Sequence, residues 1–326
     1  MKRIAITIIG LAAILLSSVA YADKGNIASQ MKAHNIFNTI ELAANIGTTG
    51  LGLEVASPLT EWAKVRVGFD AMPHFKRHLQ FSVENFSGDR LGANFDRINE
   101  MMSSQTGYSI NRSVRMVSKP TMETFRFLID VYPFKSNRHW HFTAGFFAGG
   151  SSIGTTINTS DDMASLMGVK MYQSLYRNAT SEDFVNNPQK YPLFGFLTFE
   201  KEVAKRFQEK MLNVGQLGVY AGDNKDGSPC MLFPDEEGIL ELKTKVNAFR
   251  PYLGFGYGGS LSRDGKWQAS FDAGVQFWGG IPKLTANDGA VINDLTNLSK
   301  ETQSYIDFMK AIPVYPTIDL RISYRF

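Results

Sequence analysis

The chain has a single cysteine, Cys230, in 326 residues. One thiol closes no internal disulfide and builds no cysteine-based zinc site. No charge sign dominates either: 34 Lys and Arg stand against 31 Asp and Glu, a formal net charge of +3. Without Lys2 and Arg3 the two signs nearly cancel. That excludes a protein that grips nucleic acid through a strongly basic surface. At 44% hydrophobic and 20% charged residues, the composition is not that of a disordered, collagen-like or coiled-coil chain. Beyond Val19 there is no run of about 18 apolar residues, so no transmembrane helix is expected.

What is present begins with a leader. Met1-Lys2-Arg3 is a short cationic start, Ile4 to Val19 is largely apolar, and Ala20-Tyr21-Ala22 is a small-x-small end. This predicts a secretory signal peptide over 1–22, cut between Ala22 and Asp23. An N-terminal membrane anchor is the alternative, and the short core and A-x-A end argue against it. The residue directly after the cut is Asp23 and not a cysteine, so no lipid-carrying N-terminal cysteine is expected. Residues 23–326 then form either a soluble exported protein or a β-barrel.

Alternation of apolar and polar residues decides the element type. Ile318, Leu320, Ile322, Tyr324 and Phe326 alternate with Asp319, Arg321, Ser323 and Arg325. The same pattern runs through Ile40–Ile46, Leu51–Val55, Ala63–Ala71, Phe125–Val131, Trp140–Ala148, Leu253–Tyr257 and Trp267–Phe277. Upstream of Leu253 the apolar parity is even (Leu240, Leu242, Val246), and its flip near Pro251 predicts a bulge. Eight strands result, with ten as the upper count, most of them close to the length that crosses a bilayer at a tilt.

Two features choose lipid rather than a cavity for the apolar face. The connections Pro58–Trp62, Pro133–Arg138 and Gly259–Lys266 are short, whereas those near Phe75–Met122, Ser151–Glu237 and Thr285–Pro316 are long. Short turns at one end and long loops at the other mark outer-membrane barrels. Trp62, Trp140 and Trp267 each open a strand after a short turn, with Tyr132 and Tyr324 near the same end, which predicts a periplasmic aromatic girdle. Tryptophans capping a soluble core are the alternative. The expected fold is an all-β, antiparallel up-and-down transmembrane barrel with long, helix-containing extracellular loops.

With these residues in view, the chain resembles a family of bacterial outer-membrane β-barrel proteins of unassigned function. The matching stretches are Gly47–Asp70, Phe125–Gly150, Pro251–Gly259, Trp267–Lys283 and Tyr315–Phe326. A C-terminal Phe326 on an apolar strand face resembles the assembly signal of such barrels. The resemblance implies an outer-membrane location and two partners, outer-membrane lipid and the barrel-assembly machinery. It brings no cofactor and no catalytic motif.

The polar face places Glu41, Glu54, Lys64, Arg66, Asp70, Arg126, Asp130, Asp272, Asp319, Arg321 and Arg325 inside a narrow ring. Mixed charges there are expected to pair into a plug, since unpaired buried charge is costly; a polar permeation path is the alternative.

The long loops carry four apolar stripes: Leu91-Phe95-Ile98-Met102; Met163-Met167-Met171-Leu175 after a Ser160 cap; Phe199-Val203-Phe207-Met211; and Leu295-Leu298-Tyr305-Met309-Ile312. They read as amphipathic helices packing within a loop cap. Ser151–Glu237 is long enough for a folded lobe, about 151–237, whose second and third stripes should meet. A ligand or protein could be recognised there.

Candidate chemistry is sparse. His139 and His141, two apart on one strand, could chelate a metal, but a place at the aromatic interface is preferred. His74 and His78 do not sit securely on one helix. Asp223-Asn224-Lys225-Asp226-Gly227 lacks the terminal carboxylate of a calcium loop, so a turn is preferred. Gly254, Gly256, Gly258 and Gly259 precede a strand and not a helix, so they are no dinucleotide motif. No Ser/His/Asp set falls at one rim. The expected role is therefore envelope-structural or surface-interacting and non-enzymatic, with a narrow solute channel or a lipid-modifying barrel enzyme as alternatives.

Overall fold

The computed structural model describes residues 37–87, 90–192, 199–311 and 313–326. The leader, the Ala22–Asp23 junction and Ile312 lie outside them.

Eight antiparallel strands close into a ring: β1 (Glu41–Gly47), β2 (Gly50–Thr60), β3 (Ala63–Ala71), β7 (Glu123–Val131), β8 (Trp140–Gly149), β13 (Phe249–Ser260), β14 (Trp267–Phe277) and β16 (Val314–Arg325). They are the eight strands that alternation picks out. Closure comes from β16 pairing with β1, Arg325 opposite Glu41 and Asp319 opposite Gly47. The ring therefore has no free edge. Its outer face is apolar and bare: Leu53, Leu253 and Leu320 are each 56% exposed. Its inner face is polar and sealed: Glu41, Glu54, Arg66, Asp70, Arg126, Asp130 and Asp272 are buried.

The long connections hold a second sheet, which the sequence reading does not foresee. Its strands are β4 (Arg77–Ser87), β6 (Ser113–Pro120), β9 (Ser152–Asn158), β10 (Gln216–Asp223), β11 (Pro229–Leu232), β12 (Glu241–Lys245) and β15 (Lys283–Ala286), ordered β11-β10-β4-β6-β9-β12-β15, with β5 (Arg90–Leu91) against β4. Four helices pack with it: α1 (Phe95–Thr106), α2 (Met163–Thr180), α3 (Lys201–Val214) and α4 (Lys300–Ala311). The lobe expected over 151–237 alone thus draws on all three long connections, because its sheet needs β4, β6, β12 and β15 from outside that range.

The order of this cap sheet has a simple origin. Barrel neighbours β3, β7, β8, β13 and β14 are joined in sequence to β4, β6, β9, β12 and β15, and these five lie side by side in the same order. The barrel wall continues upward as the cap.

The bulge expected at Pro251 is not found: β13 pairs with β8 without a shift from Phe249 to Tyr257. The parity flip has another cause. In β12, Leu242 and Thr244 are buried, on the same even parity as Arg250 and Tyr252 of β13, which face the lumen. β6 and β7 behave alike (Val114 and Met116, then Arg126 and Leu128), as do β15 and β14 (Leu284 and Ala286, then Asp272 and Gln276). Apolar side chains stand on the outer face of the ring and on the inner face of the cap, so the pattern inverts where the cap begins.

The helix stripes also need correction. In α2 the buried row is Leu166, Val169, Tyr172, Leu175 and Ala179, while Met163 is exposed and Met167 half-buried. The seat of the helix is rotated from the methionine stripe. Ser160 does not cap it; Ser160–Asp162 is a short 3-10 turn, and buried Asp162 accepts bonds from the Arg115 amide and the Thr159 hydroxyl, both 2.9 Å. In α3 Val203 is exposed and Ala204 buried instead. In α1, Phe95, Ile98 and Met102 are buried as expected.

Candidate functional site

Arg66 on β3 points to the middle of the ring. Its Nε donates to Glu54 at 3.0 Å, and its Nη1 reaches Asp272 at 2.8 Å and Asp130 at 3.2 Å. These carboxylates come from β2 and β7, the two neighbours of β3, and from β14 across the ring, so one guanidinium ties its own side of the wall to the opposite one. Glu54 in turn meets Arg126 at 3.2 Å and Arg321 at 2.8 Å. Arg126 continues to Asp70 at 3.6 Å and to the Asn45 amide oxygen. Thr143 donates to Asp130 at 2.8 Å and Asn45 to Asp70 at 2.9 Å. Toward the girdle end, Glu41 accepts from Lys64 at 2.8 Å and Arg325 at 2.7 Å. Asp319 accepts from Thr49 at 3.4 Å.

The eleven residues expected inside the ring are all brought there. Geometry explains why they pair: a ring this narrow holds little water, and a buried charge without a partner costs several kcal/mol. Glycines make the room. A Cβ on Gly52 would strike the Asp70 and Asn45 side chains, and one on Gly256 the His141 ring.

Sequence reasoning left out Asn45 and Arg250 and assigned His141 to the aromatic interface, although all three sit on the inward parity of their strands and are buried in the lumen. His141 bonds Asp272 through Nε2 at 2.9 Å, and its Nδ1 has no partner. Arg250 is buried beside Gly149, and none of its three nitrogens is bonded. The parity flip upstream hid Arg250.

Asp130, His141 and Asp272 place donor atoms within 4.8 Å of one another, a spacing that could hold a metal ion. The Arg66 guanidinium already sits against both carboxylates and supplies the positive charge, so the trio does not fit a metal. His139 is exposed, its Nδ1 2.7 Å from the Gly258 carbonyl. His74 and His78 are exposed, His74 in a connection and His78 on β4. Around Asp223 there is a turn: the Asn224 amide bonds the Ser228 carbonyl, and the Asp226 carboxylate accepts from Ser228. Gly150-Ser151-Ser152-Ile153-Gly154 spells Gly-x-Ser-x-Gly. Ser152, however, opens a strand that is not followed by a helix within the turn, and its hydroxyl turns back to Gly154 at 3.3 Å. That is not a nucleophile elbow.

Aromatic side chains gather on the outer face toward both ends of the barrel. At the girdle end, Trp140 meets Tyr257 at 5.0 Å, Trp267 meets Tyr324 at 5.1 Å, and Tyr324 meets Phe326 at 4.9 Å; Trp62 is exposed there too. Toward the cap end, Phe127, Phe146 and Phe249 form a chain on the outer face at 5.6 and 5.0 Å, which sequence reading did not foresee, whereas Trp278, stacked on Tyr315 at 4.7 Å, is buried. Between the ends the outer face is apolar, with Leu53, Leu253 and Leu320 beside Phe142, Phe255 and Phe271, all exposed. No helix among the described residues is long and apolar enough to cross a membrane.

No family model matches the chain, and no curated protein matches it. Among solved structures it is similar to Acinetobacter baumannii CarO2, at 12% identity over 88% of this chain and 98% of that one, with a TM-score of 0.35. A. baumannii CarO gives 10% identity over 88% and 97%, with a TM-score of 0.36. A major outer membrane protein from Thermus thermophilus gives 9% identity over 88% and 98%, with a TM-score of 0.29.

Proposed function

We propose that the chain is a non-enzymatic outer-membrane barrel whose lumen is closed and whose cap is held at the cell surface to recognise a ligand or protein. Support for the membrane comes from the bare apolar wall with tryptophans and tyrosines at its girdle end, since an apolar surface this extensive is costly in water. Orientation follows the same logic: short turns and the tryptophan girdle toward the periplasm, the cap outside. Outer-membrane lipid and the barrel-assembly machinery are then its first partners, the latter through Phe326. Export depends on cleavage at Ala22–Asp23.

The single observation that carries the closed lumen is Arg66, bonded at once to Glu54, Asp130 and Asp272 from three strands. Current through purified protein in planar bilayers tests it. A silent membrane is expected, and steady ion-selective steps would make the protein a channel.

A further inference from the structure

The girdle end of the ring opens into a cavity of about 580 Å³. That volume suits a small molecule, and the Arg66 network closes it from the cap side. Its charged lining is unequal: Lys64, Arg138, Arg321 and Arg325 face Glu41 and Glu61. Lys64 and Arg325 share one carboxylate, Glu41, so this pair of cations carries net positive charge. Arg325 spends its Nε and Nη2 on Glu41, and its side chain is 39% exposed. Arg321 spends Nε on Ser270 and Nη1 on Glu54. Arg138 is held only by a 3.9 Å contact to Glu61 across the rim. Each arginine therefore keeps at least one nitrogen uncommitted, Arg138 and Arg325 at the mouth and buried Arg321 deeper in a low-dielectric tube that focuses their field.

We propose that this vestibule binds a small anionic solute, one bearing a carboxylate or phosphate group, held by Arg321 and Arg325 and drawn in by Arg138. Guanidinium forks match such groups bidentately. The excess positive charge disfavours a cationic guest, and the dead end at Arg66 makes it a binding site and not a path. The site stands apart from whatever the cap recognises and is read by a different measurement from bilayer conductance.

Isothermal titration of the purified, folded protein in neutral detergent tests it, with inorganic phosphate and succinate as probes and glycerol as the neutral control. Saturable one-to-one binding of an anion, weakened by added salt, is expected, with no heat from glycerol. Arg325→Gln and Arg138→Gln should each weaken binding about tenfold or less, and the double variant by more than either. Both side chains are partly exposed, so these variants should keep the heat-dependent gel mobility of a folded barrel, and that is checked first. A second arm repeats the titration in nanodiscs. Loss of phosphate binding in phosphatidylglycerol but not phosphatidylcholine would make a lipid headgroup the source of the anion; equal binding in both would make it a free solute. Equal response to glycerol and phosphate, no saturable binding of either anion, or full affinity in the folded double variant would overturn the proposal.

Discussion

The ring and the cap are made largely from strands that follow one another along the chain, yet they are built inside out relative to each other. On β13, Leu253 stands outside and Arg250 inside; on β12, a few residues earlier, Leu242 is buried and Lys243 is half-exposed. Strand order is shared, so the backbone does not cause the inversion. The proposed membrane setting accounts for it. Where lipid surrounds the wall, apolar side chains lower the free energy by facing out; where water does, they lower it by facing the helices. The ring's interior must then be satisfied by ion pairs, and the cap's by a dry core of residues such as Val83, Val114, Leu217 and Tyr172.

Substitutions that behave differently in the two regions break or sharpen this contrast. The largest effect is expected inside the ring. Arg66→Met leaves Glu54, Asp130 and Asp272 short of a partner and should cost about 3–5 kcal/mol. Arg250→Met removes a guanidinium that has no partner, and should be neutral or stabilising by about 1–4 kcal/mol. Urea unfolding of the two variants in vesicles measures the difference, and equal losses would show that the network does not hold the ring.

Next comes one substitution placed on the two apolar faces. Leu253→Arg, on the outer belt, should cost about 2–4 kcal/mol of membrane stability and lower the amount of inserted barrel. Leu242→Arg should disrupt the cap and leave insertion intact. Heat-dependent gel mobility reads the barrel, and protease sensitivity of the cap reads the rest. A barrel lost in Leu242→Arg would mean that the cap is required for closure.

Smaller is the effect of Tyr172→Phe. The buried phenol donates to the Gly215 carbonyl at 2.7 Å, so its loss should cost about 1 kcal/mol, seen as a lower cap melting temperature with an unchanged barrel transition. Smallest is the response of Cys230, the single thiol. Burial, and then the Asp288 carboxylate, push its pKa up, so alkylation should be slow near neutral pH and accelerate once the cap unfolds. Fast labelling of the native protein would place Cys230 outside the packed sheet.

The ring was legible because its code is local. A period of two survives in every strand, down to Ile318–Phe326, and the eleven charged residues lie on the inner row, which an apolar patch of Leu128, Phe147 and Tyr252 interrupts. The cap was not legible for the same reason. Its strands are short, as with Pro229–Leu232 and Lys283–Ala286, and each gains its meaning from partners far along the chain, such as Leu242 opposite Thr156 and Ala286. The one visible clue, the parity flip before Pro251, has the appearance of a bulge when the surroundings are taken as constant. Helix stripes were found, but the methionine row of α2 lies to one side of the true seat at Leu166, Val169 and Tyr172, because periodicity marks an apolar sector and not its centre. The network's centre was not legible either: that Arg66 meets three carboxylates depends on register around a closed ring.

Spin-label accessibility tests the inversion most directly. In a Cys230→Ser background, labels are placed at Leu53, Leu253 and Leu320 on the ring and at Lys243 on the cap. The ring labels should be relaxed by oxygen dissolved in lipid and shielded from a water-soluble nickel chelate, and the Lys243 label should show the reverse. Ready access of the chelate to Leu53, Leu253 and Leu320 would contradict a lipid-facing belt, and with it a membrane barrel.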